Sequence, residues 1–329
     1  MGAKIIGLGH TIPEKKITNQ YFIDAGLETS DKWIIERTGI ESRYFTSTEK
    51  ASSDLGYEAA LDCLKNTETN STEIDLILVA TSTPDYNSFP STACLIQEKL
   101  GCNNTPAFDI SAACSGFCYA LTTAEGFLAT QKYNKILVIG VDCLSQISNM
   151  QDRGTCILFG DGAAAALLTH TSSKDEGILF SSINANGKLS QILKVPKGGS
   201  KYPFNETIAK EKSHFIEMDG SSVFKHAIKI VVTEIKKALS SIHLTQDDIG
   251  YLICHQANQR ILDKICDNLK IPKEKSISNI KHFGNTSAAS IPLAMSEFHQ
   301  NHGFQKGDIL ILAGFGAGFT WGINIIKWT

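Results

Sequence analysis

The sequence predicts an α/β protein built from two copies of one unit packed together. Two observations carry this. Short, nearly continuous apolar runs alternate with longer segments whose apolar residues recur every three or four positions, the patterns of doubly covered strands and of amphipathic helices. Five features of the first half also recur in the same order about 175 positions later, as an internal duplication requires.

Composition sets the outer limits. The chain has 329 residues, 42% hydrophobic and 20% charged, which fits a soluble globular protein with a large core in one large or two medium domains. With 31 Lys and Arg against 34 Asp and Glu, the net charge is −3, so bulk electrostatics favours neither nucleic acid nor a membrane surface as partner. Residues 1–20 hold no signal-peptide core, and no apolar run reaches about 18 residues. A cytoplasmic location is expected. Nine scattered cysteines without a C-x-x-C pair argue against a disulfide framework and against a zinc site. Most are expected to be small buried hydrophobes.

The elements follow in order. Residues 4–8 form a strand. Thr29, Ser30 and Asp31 offer N-cap chemistry for a helix carrying Trp33 and Arg37, which share a face because they lie four apart. That pair fits either an Arg stem packed on an indole or a site for a nucleotide base and its phosphates. Residues 74–80 (IDLILVA) form a strand covered on both faces, residues 81–90 a loop with two prolines that carries Phe89, and residues 91–100 a helix stopped by Gly101. Residues 106–110 form a strand, 115–129 a helix and 135–140 (KILVIG) another strand. After a polar turn at Asp152-Arg153-Gly154, residues 156–159 and 163–168 are expected to form strands joined by a tight turn at Gly160-Asp161-Gly162. Residues 187–214 form a long connection with a loop at 196–200.

The second half repeats this plan. Residues 74–78 are echoed by 249–253, 91–100 by 259–269, Ser111–Cys114 by Ser287–Ser290, 135–140 by 308–313, and Gly160-Asp161-Gly162 by Gly316-Ala317-Gly318. The halves are assigned as residues 1–172 and 173–329. Equivalent strand ends of the two halves should meet at the functional site.

Three residues stand at such ends. Cys114 lies at a strand-to-helix junction among small residues. The unpaired N–H groups and dipole of a helix start favour a thiolate by about 0.3–2 kcal/mol, or about one pKa unit below a thiol's usual ~8.5. The expectation is a partly ionised nucleophile; alone, Cys114 also fits a buried structural cysteine. His255 ends the apolar strand 251–254 and leads into Gln256-Ala257-Asn258. Asn285 precedes the helix equivalent to the one Cys114 opens. Singly they fit a structural histidine and a turn residue; together at equivalent ends, the three form a catalytic constellation. Cys254 points away from any cleft that His255 faces, because adjacent strand residues alternate. The order Cys, His, Asn also occurs in papain-like proteases, but the local Cys-Gly-Ser-Cys-Trp type signature is absent and a duplication has no place in that fold.

The segments WIIERTGI (33–40), SFPS (88–91), AACSGF (112–117), DRGTCILFGDGAAAALL (152–168), MDGSSVFKHA (218–227), HQANQRI (255–261), FGNTSAAS (283–290) and FGAGFTWG (315–322) together resemble the β-ketoacyl-[acyl carrier protein] synthase III family of the thiolase superfamily. The likeness runs end to end. It implies a thiolase-like fold of duplicated βαβαβαββ halves in a five-layered αβαβα sandwich. It also implies a homodimer and a Cys114-His255-Asn285 triad working on acyl-CoA and malonyl-[acyl carrier protein] without cofactor or metal. By the same resemblance the backbone N–H groups of Cys114 and Ala317 form the oxyanion hole, and Trp33, Arg37 and Arg153 contact CoA. Phe89, reaching across the dimer, and Phe315 shape the acyl pocket. Lys225, Gln256, Arg260 and Lys264 dock the carrier protein. The chain departs from the family pattern at Ala317, usually glycine, and at Asp267 and Asn268, where many members carry lysines. The activity so implied starts type II fatty acid synthesis, from acetyl-CoA or another short acyl-CoA. A closer alternative is a relative specialised for another starter in secondary metabolism or biotin-precursor synthesis. A non-catalytic acyl-binding relative is disfavoured by the intact triad.

Overall fold

The computed structural model describes residues 2–329. Two sheets organise it. The first has the strand order Gly2–Thr11, Asp161–Thr171, Lys135–Cys143, Leu76–Ala80, Ala107–Ile110. Its last three strands run parallel, and the others pair antiparallel. The second has the order Gly177–Ala185, Thr320–Lys327, Ile309–Gly316, Tyr251–Cys254, with a parallel pair only between the last two. Order and sense match strand for strand. The fifth position is reduced to an isolated bridge between Leu252 and Ser276. The repeat read from the sequence is thus present in the topology.

Five layers result. Helices Gly116–Ala129 and Ser290–Asn301 lie between the sheets and touch both. Helices Ser52–Asn66 and Thr92–Lys99 cover the outer face of the first sheet, and Gly220–Ser241 with Gln259–Leu269 cover the second. The central strands are buried on both faces, which is why their sequences are apolar without alternation. Among the described residues, no helix is long and apolar enough to cross a membrane.

Two expectations are corrected. Ser290 is not the positional counterpart of Cys114. The turns Ala113–Ser115 and Ser287–Ala289 are equivalent, each followed by its helix, so Ala288 stands opposite Cys114. Each turn begins on a non-glycine residue in the left-handed region, Ala113 at φ 45° and Ser287 at φ 50°. That conformation, and not the similar string of small residues, sets the register. Residues 156–159 are also not a strand, and Gly160–Gly162 is not a tight turn. Cys156 and Leu158 donate back to the carbonyls of Asp152 and Thr155, so this apolar run is a buried turn. Asp161 already opens the long strand, its carboxylate accepting from Thr46 N (2.7 Å), Ser145 N (2.8 Å) and Ser145 Oγ (2.5 Å).

The two halves close to backbone contact where strand Lys135–Cys143 meets the turn Ser287–Ala289. A Cβ on Gly140 would lie 2.4 Å from the Ala288 carbonyl oxygen, with backbone on the other side and nothing able to give way. Gly140→Ala is expected to destabilise the protein by about 1–3 kcal/mol through overpacking. A urea titration that kept its midpoint would contradict this account of the contact.

Candidate active site

The loop after strand Ile309–Gly316 clamps the Cys114 turn. A Cβ on Gly316 would lie 2.7 Å from Cys114 N, so only glycine allows this approach. The Thr320 hydroxyl lies 3.1 Å from Ala112 O and 2.9 Å from Ala317 O, and it accepts from Ser115 Oγ at 2.9 Å. The left-handed residue of this loop is Gly318 (φ 131°), not Ala317. The methyl group at 317 therefore meets none of the backbone conflict that replacing a glycine could bring.

His255 is 2% exposed at the end of strand Tyr251–Cys254, with its ring edge-on to Phe315 at 5.1 Å. Its Nδ1 lies 2.7 Å from Ser290 Oγ. That oxygen also accepts from Gln256 N at 3.3 Å. The Gln256 N–H fills one lone pair of that hydroxyl and leaves it a proton to give, an arrangement compatible with Nδ1 as acceptor and the ring hydrogen on Nε2. Burial lowers the imidazole pKa to about 3, so the ring is a neutral donor.

Asn285 is 6% exposed and held by its backbone. Its N–H donates to Leu158 O (2.9 Å), and Gly160 N donates to its carbonyl (3.0 Å). Behind this bridge the buried Arg43 donates to Ile157 O at 2.5 Å. Asn285 Oδ1 accepts from Ser287 N at 2.9 Å. With that oxygen engaged, Nδ2 is the donor left for the cavity that Asn285 lines with Cys114 and His255.

The Cys114 thiol departs from expectation. Burial pushes it up to about 12, with the charge of Asp142 acting in the same direction and a hydrogen bond with Ser287 opposing. A helix dipole worth about 0.3–2 kcal/mol shifts a thiol by at most about 1.5 pKa units. Burial wins, and the resting pair is neutral thiol and neutral imidazole. The helix proper also begins two residues later, at Gly116, so Cys114 sits on the turn before it.

Cys114 lies between two cavities. The larger, about 280 Å³, reaches Trp33, Arg37, Arg153, Phe224, Asn258 and Arg260. Here the packing of an Arg stem on the indole is present. The Arg37 and Arg153 guanidiniums lie 5.7 and 4.7 Å from the indole centre and place two exposed cations at the rim. The smaller cavity, about 90 Å³, is lined by Cys114, Ala317, Ser82 and apolar residues including Leu144, Ile147 and Ile216. Phe315 lines the larger cavity and not this one. Phe89 is 84% exposed and touches neither. Lys225, Arg260 and Lys264 are exposed, and Lys264 lies 3.6 Å from Asp267. Gln256 is corrected: it is fully buried, donating to Cys254 O (2.7 Å) and accepting from Ser278 Oγ (2.9 Å), so it cannot form part of a docking surface. Sequence reasoning gave Ser290, Thr320 and Arg43 no role in the site. Ser290 carried one signal, a hydroxyl five residues after Asn285 on the same helix entry. Among the described residues, no cluster of three or more His, Cys, Asp or Glu could hold a metal ion.

Comparisons with known proteins show the family to which the chain belongs. A family model described as 3-oxoacyl-[acyl-carrier-protein] synthase III matches residues 108–187, and its C-terminal counterpart matches residues 239–328. The chain is 44% identical to a β-ketoacyl-[acyl-carrier-protein] synthase III of Natranaerobius thermophilus over 328 residues, 99% of each chain. It is 43% identical to the synthase III of Syntrophomonas wolfei, covering 100% of this chain and 98% of the other. Among solved structures, 3-oxoacyl-[acyl-carrier-protein] synthase III from Aquifex aeolicus VF5 superposes with a TM-score of 0.91 at 37% identity, covering 99% of this chain and 100% of that one.

A thiol raised this far gives a definite pH profile. Alkylation by iodoacetamide, followed on the Cys114 peptide, is expected to speed up about tenfold per pH unit from about pH 7 to about pH 9, because only the thiolate reacts. A plateau within that range would show that the dipole outweighs burial.

Proposed function

The chain belongs to the 3-oxoacyl-[acyl-carrier-protein] synthase III family, and we propose that it condenses a short acyl-CoA with malonyl-[acyl carrier protein], the step that starts type II fatty acid synthesis. The observation that carries this is one cavity lined by Cys114, His255 and Asn285, which supports a pair of neutral donors, His255 Nε2–H and Asn285 Nδ2–H, beside the nucleophile. Neutral donors suit an oxyanion that exists only during reaction.

The steps follow from the groups. Acyl-CoA lies along the larger cavity with its nucleotide end at Trp33, Arg37 and Arg153. The Cys114 sulfur attacks the thioester carbonyl, the acyl group moves to sulfur, and CoA departs as its thiol, carrying away the proton Cys114 gave up. The acyl chain occupies the smaller cavity. At about 90 Å³ this is far below the roughly 300–1,000 Å³ of pockets for larger ligands, which supports acetyl or another short starter. Malonyl-carrier then enters. Its C–CO₂⁻ bond breaks, carbon dioxide leaves, and the electron pair passes into the thioester as an enolate whose oxygen accepts from His255 and Asn285. The enolate carbon attacks the acyl-cysteine, and the N–H groups of Cys114 and Ala317 hold the tetrahedral oxyanion. Collapse expels the Cys114 sulfur as a thiolate, which takes a proton from solvent to return to the resting thiol, and leaves 3-oxoacyl-carrier.

The carrier docks on the exposed Lys225 and Arg260, with Lys264 contributing less because Asp267 lies beside it. The active form is a homodimer in which Phe89 enters the partner's acyl pocket. Two aromatic rings of one loop, Tyr86 and Phe89, stand exposed in the single chain, and apolar surface grouped in this way supports an interface there.

Two outcomes test the reading. Asn285→Ala should still be acylated by acyl-CoA while carbon dioxide release from malonyl-carrier falls about 100- to 1,000-fold; condensation at wild-type rate would end the decarboxylative assignment. Phe89→Ala should alter chain-length preference across a panel of acyl-CoAs, and an unchanged profile would remove Phe89 from the pocket.

A further inference from the structure

We propose that Asp142 is a positioning residue for decarboxylation, its carboxylate holding the turn that aims Asn285. The inference rests on the reading of Asn285 as an enolate donor. Asp142 is fully buried near the end of strand Lys135–Cys143, and its two oxygens face different halves of the protein. Oδ1 accepts from Ser82 N (2.6 Å), Thr83 Oγ1 (3.1 Å) and Thr81 Oγ1 (3.3 Å), all in the first half. Oδ2 accepts from Ala288 N (3.1 Å), in the second. The residue before Ala288 is Ser287, whose N–H fixes Asn285 Oδ1 at 2.9 Å. One peptide unit therefore separates the Asp142 bond from the bond that orients the amide.

The backbone explains why such a hold is needed. Ser287 sits at φ 50°, a conformation that a non-glycine residue keeps only when its surroundings over-determine it. A charged acceptor makes a stronger bond than a neutral one. A carboxylate buried without a cation is costly, and a neutral side chain could satisfy the donors of the first half alone. The second oxygen, on Ala288 N, is the contact that a neutral amide cannot reproduce. Asp142→Asn keeps one acceptor for residues 81–83 and turns an NH₂ group toward the Ala288 N–H.

The test separates the half-reactions. In Asp142→Asn, acylation of Cys114 should be no slower than wild type, since the lost charge was one that raised the thiol, while carbon dioxide release from malonyl-carrier falls on the order of 100-fold, the scale of a misplaced catalytic group. Asp142→Asn combined with Asn285→Ala should be no slower than Asn285→Ala alone, because the first acts through the second. Thr83→Val, which removes a donor from the other oxygen, should keep the two steps in their wild-type ratio. Equal loss of both half-reactions in Asp142→Asn, or additive losses in the double variant, would overturn the positioning role. If Asn285→Ala itself releases carbon dioxide at wild-type rate, the parent reading fails and takes this role with it. If only Asn285→Ala collapses, the positioning role alone fails. Should Asp142→Asn not fold, Asp142→Ser carries the same comparison.

Discussion

The contact on which everything else depends is the seam between the two halves, closed to backbone distance at Gly140 against Ala288 and at Gly316 against Cys114. Cys114 belongs to the first half, and His255 and Asn285 to the second. They line one cavity only because neither sheet carries a side chain where the turns meet. A methyl group in either place would collide with the backbone of the facing turn. The clamp from Thr320 to Ala112 and Ala317 and the carboxylate of Asp142 both act across this seam.

Burial sets the electrostatics. It drives the Cys114 thiol up and the His255 imidazole down, so both are neutral at rest. Cations lie at the rim, on Arg37, Arg153 and Arg260, where water screens them. In the proposed mechanism, partial charges on N–H groups inside meet a negative charge that appears only in the course of reaction, without having to bind one beforehand. A permanent ion pair between the thiol and the ring would instead have required the site to stabilise charge throughout the cycle.

Much of this was legible in the sequence, for identifiable reasons. The duplicated topology showed because apolar strands buried on both faces leave continuous runs. Cys114, His255 and Asn285 showed because each stands where such a run or its following helix ends. The register of the repeat did not show. Ser111–Cys114 and Ser287–Ser290 match as strings of small residues, whereas the fold aligns the left-handed residues Ala113 and Ser287, and nothing in the identity of an alanine announces φ 45°. The apolar run at 156–159 looked like a strand because composition cannot tell a buried turn from a buried extension. Gln256 is placed on the docking surface by resemblance alone, yet its amide is consumed by Cys254 O and Ile277 O. The role of Ser290 depends on which hydroxyl proton points at which nitrogen, and no spacing rule encodes that.

The equivalence of Ala288 and Cys114 bears on how such an enzyme arises. A doubled segment starts with two interchangeable turns facing each other, and either could have carried the sulfur. Only one does, and the other keeps a bare methyl group while the residue three positions ahead of it supplies the amide donor. In the proposed mechanism, the copy without the covalent step is the one that manages charge. Asymmetry of roles grew from symmetry of frame, and the scar of that divergence is a single alanine at the mirror position.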